Sequence, residues 1–267
     1  MVPSLQTCSR TSPPAWKDGQ PPRLPLLRLC RPYHVPAGWP LTALVAEFGT
    51  ALVALSGAAN VALPGNADAL LGIDRRRFAE CLSQPVRTRL VASRWLLRTC
   101  AGAVLGIRPD LVPLYRDPAG RPRLPAQTGV DVNLSHTGDA LLVGVTTRGT
   151  VGVDVEAAGR SLSALGIEGA MCGPGERARL HGLPPAQRDE MLLRLWTLKE
   201  AYGKALGVGL GVAFTSVEFQ FAGDFASPAA EPGPGLHEGW SFRSICFPAG
   251  HWSAVAVGPS ESRHRHA

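Results

Sequence analysis

Lysine is almost missing from this chain of 267 residues: only Lys17, Lys199 and Lys204 stand among 27 lysines and arginines. That scarcity makes placement informative, because Lys199 and Lys204 fall together at the end of one helical pattern. Aromatic residues are also few, at 6%, and they do not interleave with the basic runs, which argues against a nucleic-acid module built on base stacking. No run of about 18 apolar residues is present to cross a bilayer as a helix. The N-terminus lacks a basic segment followed by an apolar stretch and a small-residue cleavage site, so the reading is a soluble, cytoplasmic protein with no membrane role. The six cysteines form no CxxC pair and have no histidines at zinc-ligand spacing, which excludes a thiolate metal centre and leaves reduced thiols. A Walker loop, a dinucleotide fingerprint and a G-x-S-x-G elbow are all lacking, which removes three common routes to phosphate, hydride and acyl chemistry.

The 45% of hydrophobic residues is enough for a substantial core, as one larger domain or two modest halves. A net charge of +6 suits a polyanionic partner: a nucleotide, an acidic protein or a nucleic acid. Residues 1–40 are proline-rich, with pairs at Pro13-Pro14 and Pro21-Pro22, and predict an extended, poorly ordered leader. Residues 41–56 read as strand or buried helix. Residues 66–106 read as two helices: Asn66 or Asp68 caps the first, and the second runs over 85–105 with Leu90, Trp95, Leu97 and Val104 as its buried stripe. Arg87, Arg89, Arg94 and Arg98 then spread over its other faces toward solvent. After a Pro/Gly-rich connection at 109–125 the period changes to two, and three short runs over 130–156 predict an antiparallel meander. Residues 174–206 are helical, 212–221 and 253–257 are strands, 222–239 form a long loop, and the tail 259–267 is disordered. The boundaries expected are an N-terminal half at 41–150 and a C-terminal half at 151–258.

Three segments carry candidate chemistry. In VGVDVE (151–156) strand alternation puts Asp154 and Glu156 on one face and Val153 and Val155 on the other. Carboxylates that close repel unless a cation or solvent separates them, and hard oxygen ligands suit a Mg2+ that also holds a phosphate. Taken alone, the hexapeptide also fits a solvated strand edge. Further on, Trp196, Glu200 and Lys204 recur at four-residue spacing in RLWTLKEAYGKALGVGL (194–210), so Glu200 can meet the sheet as a third carboxylate. Alone, Glu200 and Lys204 would be an ordinary surface ion pair. Lys199 lies about 100° around the helix from Glu200 and leaves that face. Gly207, Gly209 and Gly211 can stop the helix and let the chain approach a ligand. In NLSHTGD (133–139), Ser135 and His136 end a strand before a turn, where hydroxyl and imidazole can donate to phosphate oxygens. Because neighbouring strand residues point apart, they are not a nucleophile and its base.

The ordered set GRPRLP (120–125), NLSHTGD, VGVDVE and WTLKEAYGKALGVGL resembles the Sfp-type 4′-phosphopantetheinyl transferases, over roughly residues 70–257. The resemblance implies an α+β monomer of two similar halves related by a pseudo-twofold axis, with coenzyme A and Mg2+ in the cleft between them and apo acyl or peptidyl carrier proteins as partners. By motif, Asp154, Glu156 and Glu200 would be the metal-site acids, with Glu200 or Glu156 as general base and Lys204 beside them. Ser135, His136 and Arg121 would hold phosphates of coenzyme A, Lys204 and Lys199 would meet its pyrophosphate, and Arg77 and Arg87 its 3′-phosphate side. Glu176 resembles an acidic position of the family whose preceding aromatics are absent here.

Overall fold

The computed structural model describes residues 33–34, 44–48, 51–61, 63, 71–72, 74–118, 120–147, 149–223, 225–228, 239–247 and 250–259. The first half runs through β1 (Tyr33–His34), β2 (Leu44–Phe48), β3 (Ala51–Gly57), α1 (Arg75–Glu80) and α2 (Gln84–Leu105). It continues with the short pair β4 (Tyr115–Arg116) and β5 (Pro122–Arg123) and the hairpin β6 (Asp131–Thr137) and β7 (Ala140–Thr146). The second half holds β8 (Thr150–Ala157), α3 (Glu168–Met171), α4 (Pro174–His181), α5 (Pro185–Leu206), β9 (Phe219–Ala222), β10 (Phe225–Pro228), β11 (Ser241–Phe247) and β12 (His251–Gly258). Each half has one five-stranded antiparallel sheet, in the orders β1-β2-β3-β7-β6 and β8-β12-β11-β10-β9.

One pattern recurs in both halves. A strand leads to a 22-residue helix, and a later hairpin returns so that its second strand pairs with the first strand: β3, α2 and β6–β7, then β8, α5 and β11–β12. Period-two alternation divides the side chains between cores. Leu141, Val143 and Val145 pack under α2 with Trp95, Leu96 and Leu97, whereas Ala140 and Leu142 face the other half and meet Val151, Val153, Val155, Val255 and Val257. The opposite face of the second sheet, with Phe242, Trp252, Ala254 and Ala256, lies under α5. Gly144 lets the halves close, since a Cβ there would come within 2.6 Å of Val153 Cγ1.

The long helices begin and end as their sequences direct. Pro85 and Pro185 stand in the first turns, where a missing N–H costs nothing. Gly106 and Gly207 end them at φ 71° and 85°, and at Gly207 the amides of Gly207 and Val208 bond back to Lys204 O and Gly203 O at 3.2 Å.

The α+β class and the two similar halves match the expectation, but several elements differ. The three strand runs are not one meander: β6 and β7 form a hairpin, and β8 crosses into the second sheet against β12. Of the two alternatives for residues 41–56, the described residues take strand, as β2 and β3. Of residues 212–221 only the end is strand, after two 3-10 turns. Strand β10 interrupts the expected loop 222–239, and β11 is an added strand. Arg94 and Arg98 are buried: Arg94 Nε donates to Asp74 at 2.5 Å and Arg98 bonds Val112 O. Apart from Tyr33–His34 the proline-rich leader lies outside the described residues, as do Asn66, Asp68 and the tail beyond Pro259. None of Cys81, Cys100, Cys172 and Cys246 is in a disulfide, and among the described residues no helix is long and apolar enough to cross a membrane.

Candidate active site

The two sheets meet at their edges, where β6 lies beside β8 without a backbone ladder between them. Side chains bridge the gap. Asp131 Oδ2 accepts from the Val151 amide at 2.8 Å and Asn133 Oδ1 from the Val153 amide at 2.9 Å. Two residues further along, Ser135 Oγ donates to Asp154 Oδ1 at 2.7 Å, and then Thr137 Oγ1 donates to Glu156 Oε2 at 3.0 Å. Every second side chain of β6 thus reaches β8, as a strand period of two requires.

On β8 the odd-numbered valines face the core between the halves, and Gly152, Asp154 and Glu156 face the other way, toward α5. A Cβ at Gly152 would collide with the Ala201 carbonyl and the Ala205 amide, so glycine there lets α5 lie directly on the strand. Lys204, three residues beyond Ala201, then reaches Asp154 Oδ1 at 2.5 Å and Ser135 Oγ at 3.0 Å. Glu200, one turn earlier, comes close enough to both strand acids to feel them. Burial first, then Asp154 and Glu156, push its carboxyl above the usual range, with Lys204 opposing. Glu156 is also ion-paired to Arg160 on the turn after β8.

The chemistry of this donor set fits a hard divalent cation. Asp154 is only 5% exposed, and its Oδ2 is buried with no hydrogen-bond partner, an arrangement that costs stability unless something binds there. Lys204 and Arg160 are bonded to the strand acids, and among the described residues no group of three or more His, Cys, Asp or Glu is set as a metal cluster.

A basic group flanks the acids. His136 stands at the rim beyond Ser135, and partial desolvation followed by Arg89, Lys204 and Arg77 holds its imidazole below the usual value. Arg89 donates to Gly138 O at 3.1 Å, in the turn that follows His136.

The structure therefore gathers Ser135, His136, Asp154, Glu156, Glu200, Lys204 and Arg77, and it sets three expected residues apart. Lys199 is fully buried on the far side of α5, with its ammonium bonded to Glu176 at 2.5 Å and to the carbonyls of Met171 and Phe214, both at 2.8 Å. No donor is left for a pyrophosphate. Arg121 bonds Asp131 and the carbonyls of Val132, Val151 and Lys204, tying both halves to the last turn of α5 instead of offering itself to an anion. Arg87 stacks on Phe78 and donates to Cys81 O at 2.5 Å; Arg89, two residues on, faces the site instead. Sequence reading left out Arg89, Thr137 and Arg160. Strand alternation from Ser135 signals Thr137, whereas Arg160 sits in a turn whose direction the sequence does not fix.

Residues 150–256 match the model of the 4′-phosphopantetheinyl transferase superfamily. The 4′-phosphopantetheinyl transferase HetI of Nostoc sp. is 33% identical over 127 residues, 46% of this chain and 54% of that protein. The likeness to that superfamily thus lies in the second half of this chain, from β8 to β12. The 4′-phosphopantetheinyl transferase of Bacillus subtilis is 26% identical over 136 residues, 51% of this chain and 59% of its own. The chain thus spans little more than half the length of these phosphopantetheinyl transferases. Among solved structures, a holo-(acyl-carrier-protein) synthase from Bacillus anthracis in complex with CoA (3′,5′-ADP) is 22% identical, covering 42% of this chain and 96% of that one at a TM-score of 0.35.

Proposed function

We propose that this protein is a cytoplasmic, monomeric, Sfp-type 4′-phosphopantetheinyl transferase that moves the phosphopantetheine arm of coenzyme A to a serine of an acyl, polyketide or peptidyl carrier protein. One observation carries the reading. Asp154 and Glu156 on β8 lie close enough to Glu200 on α5 to raise its pKa, beside a basic group that includes Lys204 and His136. Acids alone would suit a cation site and bases alone an anion site; together they suit a cation that holds a pyrophosphate.

In this reading Asp154, through its open Oδ2, and Glu200 and Glu156 would hold Mg2+, which when bound neutralises charge on the pyrophosphate. The carrier serine Oγ attacks the β-phosphorus of coenzyme A, the bond from that phosphorus to the bridging oxygen breaks, and 3′,5′-ADP leaves. Glu200 takes the serine proton, and its raised pKa makes it a stronger base than an ordinary carboxylate. Lys204 and His136 face the charge that builds on the leaving phosphate. Ser135 orients Asp154 and Lys204 together, and Arg77 and Arg89 extend the positive surface toward the 3′-phosphate.

Incubation of the full chain with coenzyme A, Mg2+ and an apo carrier protein, read by intact mass, tests the proposal: the carrier gains the phosphopantetheine mass. Asp154→Ala and Glu200→Gln should each lower kcat at least about 100-fold while the proteins stay folded. Near-normal modification by either variant would sink the assignment.

A further inference from the structure

The strand acids differ in what their basic partners leave open. Asp154 bonds Lys204 through Oδ1 and keeps Oδ2 buried and unpartnered. Glu156 has both oxygens engaged, Oε2 by Thr137 and Oε1 by Arg160. The guanidinium occupies part of the Oε1 lone-pair space through which Glu156 would ligate a cation, and its charge repels one. Arg160 therefore opposes the joining of Glu156 with Asp154 and Glu200 around a cation. Lys204 does not block in the same way, because the oxygen left open on Asp154 is not the one it holds.

Arg160 is built to let go. It lies on the turn after β8, with its amide bonded to Ala157 O at 3.0 Å, and its side chain is 39% exposed. A guanidinium so open to water gains little from its ion pair and can swing into solvent, but the Glu156 it leaves is only 13% exposed, so its release needs another positive charge to take its place. Thr137, by contrast, comes from the other half and would stay to orient Glu156 on the opposite oxygen.

We propose that Arg160 is the resident counterion of Glu156, which it releases when the three acids take up a divalent cation, so that Arg160 sets the cation affinity of the site. The inference rests on reading the three acids as a metal site. It is tested on the full chain with Mn2+ alone as probe, its binding followed by electron paramagnetic resonance. Arg160→Gln should bind Mn2+ about two- to fivefold more tightly than wild type, and Arg160→Lys should stay near wild type. Asp154→Asn in the Arg160→Gln background should abolish the gain. Thermal unfolding checks that each variant is folded. Equal or weaker Mn2+ binding by Arg160→Gln, no Mn2+ binding by either protein, or a gain that survives Asp154→Asn would overturn the proposal. The carrier assay keeps the two readings apart. Transfer with unchanged Mn2+ affinity removes only the role of Arg160, and tightened Mn2+ binding without transfer removes only the transferase.

Discussion

Glu200 and Lys199 are neighbours in sequence and opposites in physics. Lys199 has three acceptors and no water, so it anchors α5 from behind, against the start of α4 through Glu176. Glu200 faces two other carboxylates, and its raised pKa carries a stability consequence whose sign is fixed. A carboxyl that is harder to ionise in the folded chain binds more protons there than in the unfolded chain. Stability is thus lost as pH rises from the ordinary value near 4.5 through the raised one. Glu200→Gln removes that loss. Its melting temperature should exceed that of the wild type at neutral pH in metal-free buffer, with the gap closing toward pH 4.5; a lower melting temperature at neutral pH would contradict it. Helix geometry in the sequence already turned Lys199 away from Glu200. Its acceptors were not legible, because Met171 O and Phe214 O are backbone atoms supplied by distant turns.

At the scale of elements, the site depends on how closely α5 lies on β8. Gly152 sets that distance, and Gly152→Ala should push the helix off the strand. A loss of about 1–3 kcal/mol in urea unfolding is expected, together with loss of the proposed transfer activity, since Glu200 and Lys204 ride on the displaced helix. An Ala variant of full stability would show that the helix can shift at no cost. The long helices and the strand pair β6–β7 were readable because period, proline starts and glycine stops agreed over many residues. The destination of β8 was not, because a run of alternating valines pairs equally well with β7 or with β12, and only long-range packing decides. β10 and β11 escaped for the same reason, and the burial of Arg94 by Asp74 depends on a contact 20 residues away in sequence.

For the whole molecule, the seam between β6 and β8 replaces a backbone ladder with side chains, and each bond is a point where the halves can be loosened. Asn133→Leu leaves the Val153 amide buried without an acceptor, which should cost about 1–3 kcal/mol by urea denaturation; an unchanged midpoint would mean the amide finds another partner. The two-half organisation was implied by the family resemblance, but the seam was not legible, since nothing in the sequence says that Asp131, Asn133, Ser135 and Thr137 bond across to a strand of the other sheet. The same seam fixes an order of assembly. Its four pairs join residues only 19 or 20 apart, whereas Lys204 reaches Asp154 and Ser135 across 50 and 69 residues. Short loops close at lower entropic cost than long ones. During synthesis, then, the hydroxyls and the strand acids can find each other before α5 has been made, and the helix that brings Glu200 and Lys204 docks onto a half-built site.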